Sequence, residues 1–286
     1  MIPPQNGGRM TVPTPLRLRP LEIGDLLDET FRMYRRHFLL FAGLSVVLAI
    51  PGAALSGYST FALLSSFLNA ANADQAPDLA ALTPTLVVVG IGFILNLLLY
   101  PFTQAAVIYA ACESALGRPI TLWGVLGYIV RRYFPIFGYL VLIALMSVAF
   151  CLIPLWIWIW VLWIAVLPAM FIENLGLGAA MSRSWHLVEG RWWRTFLILF
   201  LIVVLWYVVR IALGAVLFIA NQLLVIVASS YLTVAIVGGA GEVIYSLATP
   251  IVQIAIVLIY FDLRVRREGL DLFQQAQRLP QAPQPA

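Results

Sequence analysis

The stretch TFLILFLIVVLWYVVRIALGAVLFI, from Thr195 to Ile219, is an apolar run interrupted by a single charge, Arg210. A helix needs about 20 apolar residues to cross the roughly 30 Å hydrocarbon core of a bilayer, so this run is long enough to span one. It is apolar around its whole circumference, which suits a helix surrounded by lipid or protein and not one facing water. Similar runs fall at about 38–58, 85–112, 136–153, 155–172 and 239–261. The 286-residue chain is 62% hydrophobic and 10% charged. An ordinary soluble domain is about 25% charged, so this chain lacks the polar surface to dissolve in water. The expected fold is therefore all-α: a polytopic integral membrane protein with six transmembrane helices.

Charge then sets orientation. The net charge is +4, and every one of the 17 basic residues is an arginine. They cluster at the ends of apolar runs, which is how a membrane protein fixes its topology, and no nucleic-acid partner is implied. Arg118, Arg131 and Arg132 separate the second and third runs, and Arg183, Arg191 and Arg194 separate the fourth and fifth. Arg264, Arg266 and Arg267 follow the sixth. The 59–84 loop has no basic residue and carries Asp74 and Asp78. The positive-inside rule then predicts both termini in the cytoplasm.

Residues 1–20, rich in proline and glycine, are expected to be disordered, followed by a single membrane domain over 21–262. A cytoplasmic, partly disordered tail occupies 263–286. At the start of the domain, Ile23, Leu26, Leu27, Phe31, Tyr34 and Phe38 form one helical face. This predicts an amphipathic helix lying in the membrane interface. The apolar segment Asn221–Val237 is not counted as a seventh crossing, because that would move Arg264–Arg267 to the other side. It is expected to be a re-entrant or interfacial helix.

The chain also repeats itself. Arg36-His37-Phe38, Arg132-Tyr133-Phe134 and Arg191-Trp192-Trp193 are each followed by a phenylalanine five residues after the arginine. Pro101-x-x-Gln104-x-Ala106 and Pro250-x-x-Gln253-x-Ala255 align without gaps, which sets Glu113 opposite Asp262. The simplest organisation is three parallel units, each an interfacial helix followed by a two-span hairpin.

The segments Arg19-Pro20-Leu21-Glu22-Ile23-Gly24-Asp25-Leu26-Leu27-Asp28, Ser184-Trp185-His186-Leu187-Val188-Glu189-Gly190 and Tyr260-Phe261-Asp262-Leu263-Arg264-Val265-Arg266-Arg267 resemble a bacterial membrane-protein family. That family is the membrane domain attached to some glycerophosphoryl diester phosphodiesterases, together with stand-alone relatives. The resemblance runs from Arg19 to Leu272 and implies a six-helix module of the cytoplasmic membrane. It does not imply phosphodiesterase activity, which resides in a separate soluble domain.

No catalytic constellation is legible, so no enzyme is expected. His37 and His186 stand apart at span ends, and Cys112 and Cys151 lie in apolar runs as packing residues. No metal or cofactor is expected. The informative residues are polar groups within or beside the spans. Arg210 and Glu242 are expected to pair in the outer half of the membrane, since an isolated intramembrane charge costs roughly 2.5–3.5 kcal/mol. Asn96, Gln104 and Gln253 are candidates for lining a polar cavity. Glu113, Glu173 and Asp262 end helices where the macrodipole disfavours a negative charge, so a belt of pairs with Arg36, Arg132 and Arg191 is expected. Two functions fit. One is a non-catalytic membrane module: a scaffold, anchor or partner subunit of an envelope system. The other is a carrier or binder of lipids or small amphiphiles. A cavity lined by Asn96, Gln104 and Gln253 favours the second, and an exposed apolar groove favours the first. Membrane lipids, and an envelope protein in the first case, are the implied partners.

Overall fold

A computed structural model describes residues 21–72, 79–148, 153–228 and 231–269. The described residues are helical throughout, without strands. They form α1 (Ile23–Arg36), α2 (Phe38–Asn72), α3 (Leu79–Ala115), α4 (Leu122–Arg131), α5 (Tyr133–Val148), α6 (Ile153–Leu162), α7 (Val166–Ile172), α8 (Leu177–Val188), α9 (Trp192–Ala228), α10 (Tyr231–Ser246) and α11 (Thr249–Glu268). Five helical stretches are long and apolar enough to cross a membrane: Phe38–Phe67, Thr83–Ala115, Pro154–Ile172, Trp192–Leu224 and Leu232–Glu268. α4 and α5 together make a sixth candidate, bent by 72°.

Several helices outrun the expected boundaries. Pro51 lies inside α2, and Pro84 and Pro101 inside α3, without ending either helix. Neighbouring helices and lipid leave an apolar segment no alternative partner for its backbone, so a single proline bends it more readily than it unwinds it. For the same reason Asn221–Val237 is not a separate re-entrant or interfacial helix. α9 continues through Asn221 to Ala228, and α10 starts at Tyr231. The two run antiparallel: the Arg210 guanidinium lies 4.6 Å from the Tyr245 ring centroid, and Leu217 packs at Gly241. The end of the expected 136–153 span and Cys151 lie outside the described residues, as do Asp74 and Asp78, whereas Cys112 is buried in the core.

α2 and α10 cross at small residues. A Cβ on Gly239 would stand 2.9 Å from the Ala53 carbonyl oxygen, and one on Gly57 would stand 3.0 Å from that of Ala235. Glycine at both points lets the backbones meet, the usual solution where lipid gives no hydrophobic drive to helix pairing.

α1 forms where the apolar stripe expects a helix, and Leu26, Thr30 and Met33 on it are buried in the bundle. The Leu21 amide donates to Asp262 at 2.9 Å, and the Tyr34 hydroxyl donates to the Leu247 carbonyl at 2.7 Å. These two ties lay α1 antiparallel along α11. The apolar stripe was legible, and part of it packs on α11.

Candidate functional site

Two cavities adjoin in the helical bundle. The first, about 420 Å3, lies between α2, α3, α9 and α10. Its wall includes Ser56, Asn96, Gln104, Arg210, Glu242 and Ser246. The second, about 400 Å3, has a mostly apolar wall, including Ile136, Ile143, Leu167 and Val252, with Gln253 and Trp206 among the polar exceptions. Tyr100, Gln104 and Thr249 belong to both walls, so the cavities meet at these three side chains.

The structure brings the expected polar residues together but does not join them as foreseen. Arg210 and Glu242 line the same cavity and form no ion pair with one another among the described residues. The Arg210 guanidinium lies instead over two rings, 5.3 Å from the Trp206 centroid and 4.6 Å from that of Tyr245. Cation–π contact of this kind leaves the charge without an anionic partner. Tyr245 gave no sequence signal, because its role depends on the antiparallel pairing of α9 and α10.

Gln253, only 3% exposed, donates a hydrogen bond to Gln104. These are the two glutamines that the internal repeat aligns. The Gln253 carbonyl oxygen and the Trp206 indole N–H are buried without hydrogen-bond partners. Both residues line the apolar cavity. A buried polar atom without a partner costs about 1–3 kcal/mol, so these two atoms are ready to accept and to donate to a molecule placed there. Asn96 joins the site from α3, where its amide donates to the Gly92 carbonyl at 3.2 Å. Opposite it, Gly52 leaves the room: a Cβ there would stand 2.6 Å from the Asn96 side-chain oxygen.

At the arginine-rich end, all three expected acids pair with arginines, but not with those expected. Asp262 is 2% exposed and is held by Arg194, by Arg266 at 2.9 Å and by the Leu21 amide. The same two arginines also donate to the Leu21 carbonyl, at 2.7 and 2.8 Å, so the start of α1 is clamped on both its polar groups. Glu173 pairs with Arg183 at 2.9 Å and accepts from the Tyr260 hydroxyl at 2.7 Å. Glu268 joins this network through Arg183 and Arg264. Burial disfavours the Arg183 charge, but its bonds to Glu268 and Glu173 outweigh that and raise its pKa above the ordinary arginine value. Glu113 pairs with Arg118 at 3.1 Å at the surface.

Arg36, Arg132 and Arg191 make no ion pair with a carboxylate among the described residues. Arg132 instead donates to the Met170 carbonyl and to Asn174, at 3.1 and 3.0 Å, and Arg191 to the Arg266 carbonyl at 2.9 Å. Glu113 and Glu173 stand at helix ends as expected, whereas α11 runs on to Glu268, so Asp262 ends the apolar run and not its helix. Their partners depend on how α8, α9 and α11 meet, which spacing does not encode. Ser184 was also missed as a structural residue. Its hydroxyl donates to the Leu162 carbonyl and accepts from the Ala165 amide, fastening α8 to the break between α6 and α7.

No family model, curated protein or solved structure matches the chain. The functional reading therefore rests on the site itself. Among the described residues, no group of three or more His, Cys, Asp or Glu side chains is placed to hold a metal.

Proposed function

We propose that the chain is a non-catalytic, multi-pass protein of a bacterial cytoplasmic membrane that binds a lipid or similar amphiphile between its helices. The observation that carries this is the pair of adjoining cavities, one polar and one apolar, meeting at Gln104. Each is within the range of about 300–1,000 Å3 that small-molecule sites occupy. An amphiphile has the same two-part character as the joined cavities. The free groups of Arg210, Gln253 and Trp206 give it polar partners.

The arginine-rich end, with both chain termini, is on the cytoplasmic side by the positive-inside rule. The helices cross obliquely. α3 and α9 have 37 residues each. At 1.5 Å per residue such a helix is about 55 Å long, and a tilt of about 40° brings it to about 42 Å, the thickness of a bilayer with its headgroups.

The domain comprises three successive units: α1 with α2 and α3, α4 with α5 to α7, and α8 with α9 to α11. The Gln104–Gln253 hydrogen bond, joining residues that the repeat makes equivalent, supports this organisation. The stand-alone branch of the glycerophosphoryl diester phosphodiesterase membrane-domain family is the family proposed for it, on the motifs at Arg19, Ser184 and Tyr260.

The scaffold reading has one observation in its favour. An apolar groove of about 560 Å3 opens between α2 and α10, lined by Ile50, Tyr58, Phe61, Leu232 and Ile236. Native mass spectrometry of the protein released from mild detergent separates the two readings. A lipid bound at one per chain supports amphiphile binding. A bound protein with no lipid retained overturns it in favour of the scaffold.

A further inference from the structure

We infer that the amphiphile bound here has a zwitterionic head, with its anionic group on Arg210 and a primary ammonium on Glu242. This rests on the amphiphile-binding proposal and specifies the class of ligand. Arg210 and Glu242 line one cavity, carry opposite charge and are not joined to each other among the described residues. The guanidinium carbon lies over the Trp206 and Tyr245 rings, which hold it at the cavity wall without neutralising its charge, so an oxyanion placed there finds an unpaired guanidinium. A phosphate or carboxylate accepts two parallel N–H bonds from a guanidinium, and charge-assisted bonds of this kind are about twice as strong as neutral ones.

Glu242 is an acceptor only, so it requires a donor. An ammonium bearing N–H groups supplies one, whereas a quaternary ammonium has none to give. The two rings nearest the anionic subsite, Trp206 and Tyr245, are already covered by Arg210. Two opposite, separated charges disfavour a purely anionic ligand, which leaves Glu242 uncompensated, and a purely cationic one, which does the same to Arg210. Ser56, Asn96 and Ser246 complete the polar wall. From the head, the molecule extends past Gln104 into the apolar cavity, which receives its chain.

An aminophospholipid and an alkylated amino acid share this head chemistry. The test therefore titrates the purified full chain, in mild detergent, with several probes and counts bound adducts by native mass spectrometry. The probes are dihexanoyl phosphatidylethanolamine, phosphatidylcholine and phosphatidylglycerol, S-dodecylcysteine, and an uncharged alkyl glucoside. The expected result on the wild-type chain is that phosphatidylethanolamine binds about tenfold more tightly than phosphatidylglycerol or phosphatidylcholine, the gain of roughly one charge-assisted hydrogen bond. Glu242→Gln removes that preference while leaving phosphatidylglycerol binding in place, and Arg210→Gln weakens both phospholipids. S-dodecylcysteine binding as tightly as phosphatidylethanolamine supports the zwitterion with a carboxylate as its anion. Equal binding of the charged probes and the glucoside overturns the headgroup inference but leaves amphiphile binding standing. Binding of no probe overturns amphiphile binding itself. The wild-type ranking needs no variant, so it decides the matter even if either substitution fails to fold.

Discussion

Replacing Asp262 by asparagine should destabilise the protein far more than replacing Glu113 by glutamine, although both remove an acid at the arginine-rich end. The Asp262 side chain is 1% exposed and takes ion pairs from Arg194 and Arg266, each 27% exposed. It also accepts the Leu21 amide, which anchors α1. Asparagine preserves the volume, so no cavity forms. The loss is that of the charge compensating two partly buried arginines, and an amide N–H would now face a guanidinium donor. Breaking one side of a buried pair costs about 3–5 kcal/mol. The partial exposure of both arginines places this site at the lower end, about 3 kcal/mol. In the Glu113 pair the Arg118 side chain is 62% exposed. Exposed pairs are worth about 0–1 kcal/mol. At roughly 2–4 °C per kcal/mol, the melting temperature in one detergent should fall by about 6–12 °C for Asp262→Asn and by no more than about 4 °C for Glu113→Gln. Adding Arg194→Gln to Asp262→Asn should recover part of the loss, since it removes one uncompensated charge. Equal shifts for the two single variants would refute the idea that burial ranks the belt.

At the α2–α10 crossing, Gly239→Ala should cost about 1–3 kcal/mol through overpacking, because its Cβ would meet the Ala53 carbonyl at 2.9 Å. Gly238→Ala, with nothing within 4 Å, should melt as the native chain does. Gln253→Leu should destabilise by leaving Gln104 without its donor, and Gln104→Leu added to it should restore stability, since two apolar groups replace a bonded pair at little net cost. Each is read from the same thermal melt. Burial, and then the charge of Arg36, lower the pKa of His37 from the ordinary histidine value of about 6.5. The folded state therefore binds the proton less well than the unfolded one, so His37 costs stability as the pH falls through and below that value. His37→Gln should flatten this acid limb, and an unchanged limb would exclude His37 as its source. A cysteine at Glu189 in an otherwise cysteine-free chain should be shielded from an impermeant maleimide in intact cells, and one at Asp74 labelled. The reverse pattern would invert the topology.

Long apolar runs announce membrane helices because a chain in lipid has no other way to satisfy its backbone, and the all-helical fold was legible for that reason. Helix ends were less so. Pro51, Pro84 and Pro101 are breakers in water but lie within helices here, and Asn221-Gln222 does not interrupt α9. For α1 the sequence shows a stripe but not its protein partner, which is α11. The site shows the same division. Arg210 and Glu242 stood out as charges in apolar surroundings, and they do share a cavity. Trp206 stands four residues before Arg210 on α9, a spacing the sequence does carry, but that Tyr245 meets Arg210 where Glu242 was expected depends on the register of α9 against α10, which local pattern does not carry.

The most direct test of an amphiphile site between these helices is an experimental density map of the protein in nanodiscs that contain phosphatidylethanolamine. The expected result is one ordered lipid per chain, with phosphate at Arg210, amine at Glu242 and acyl density continuing past Gln104 toward Ile136 and Leu167. Cavities that hold only water, or are closed by an Arg210–Glu242 ion pair with every lipid outside the bundle, would contradict it.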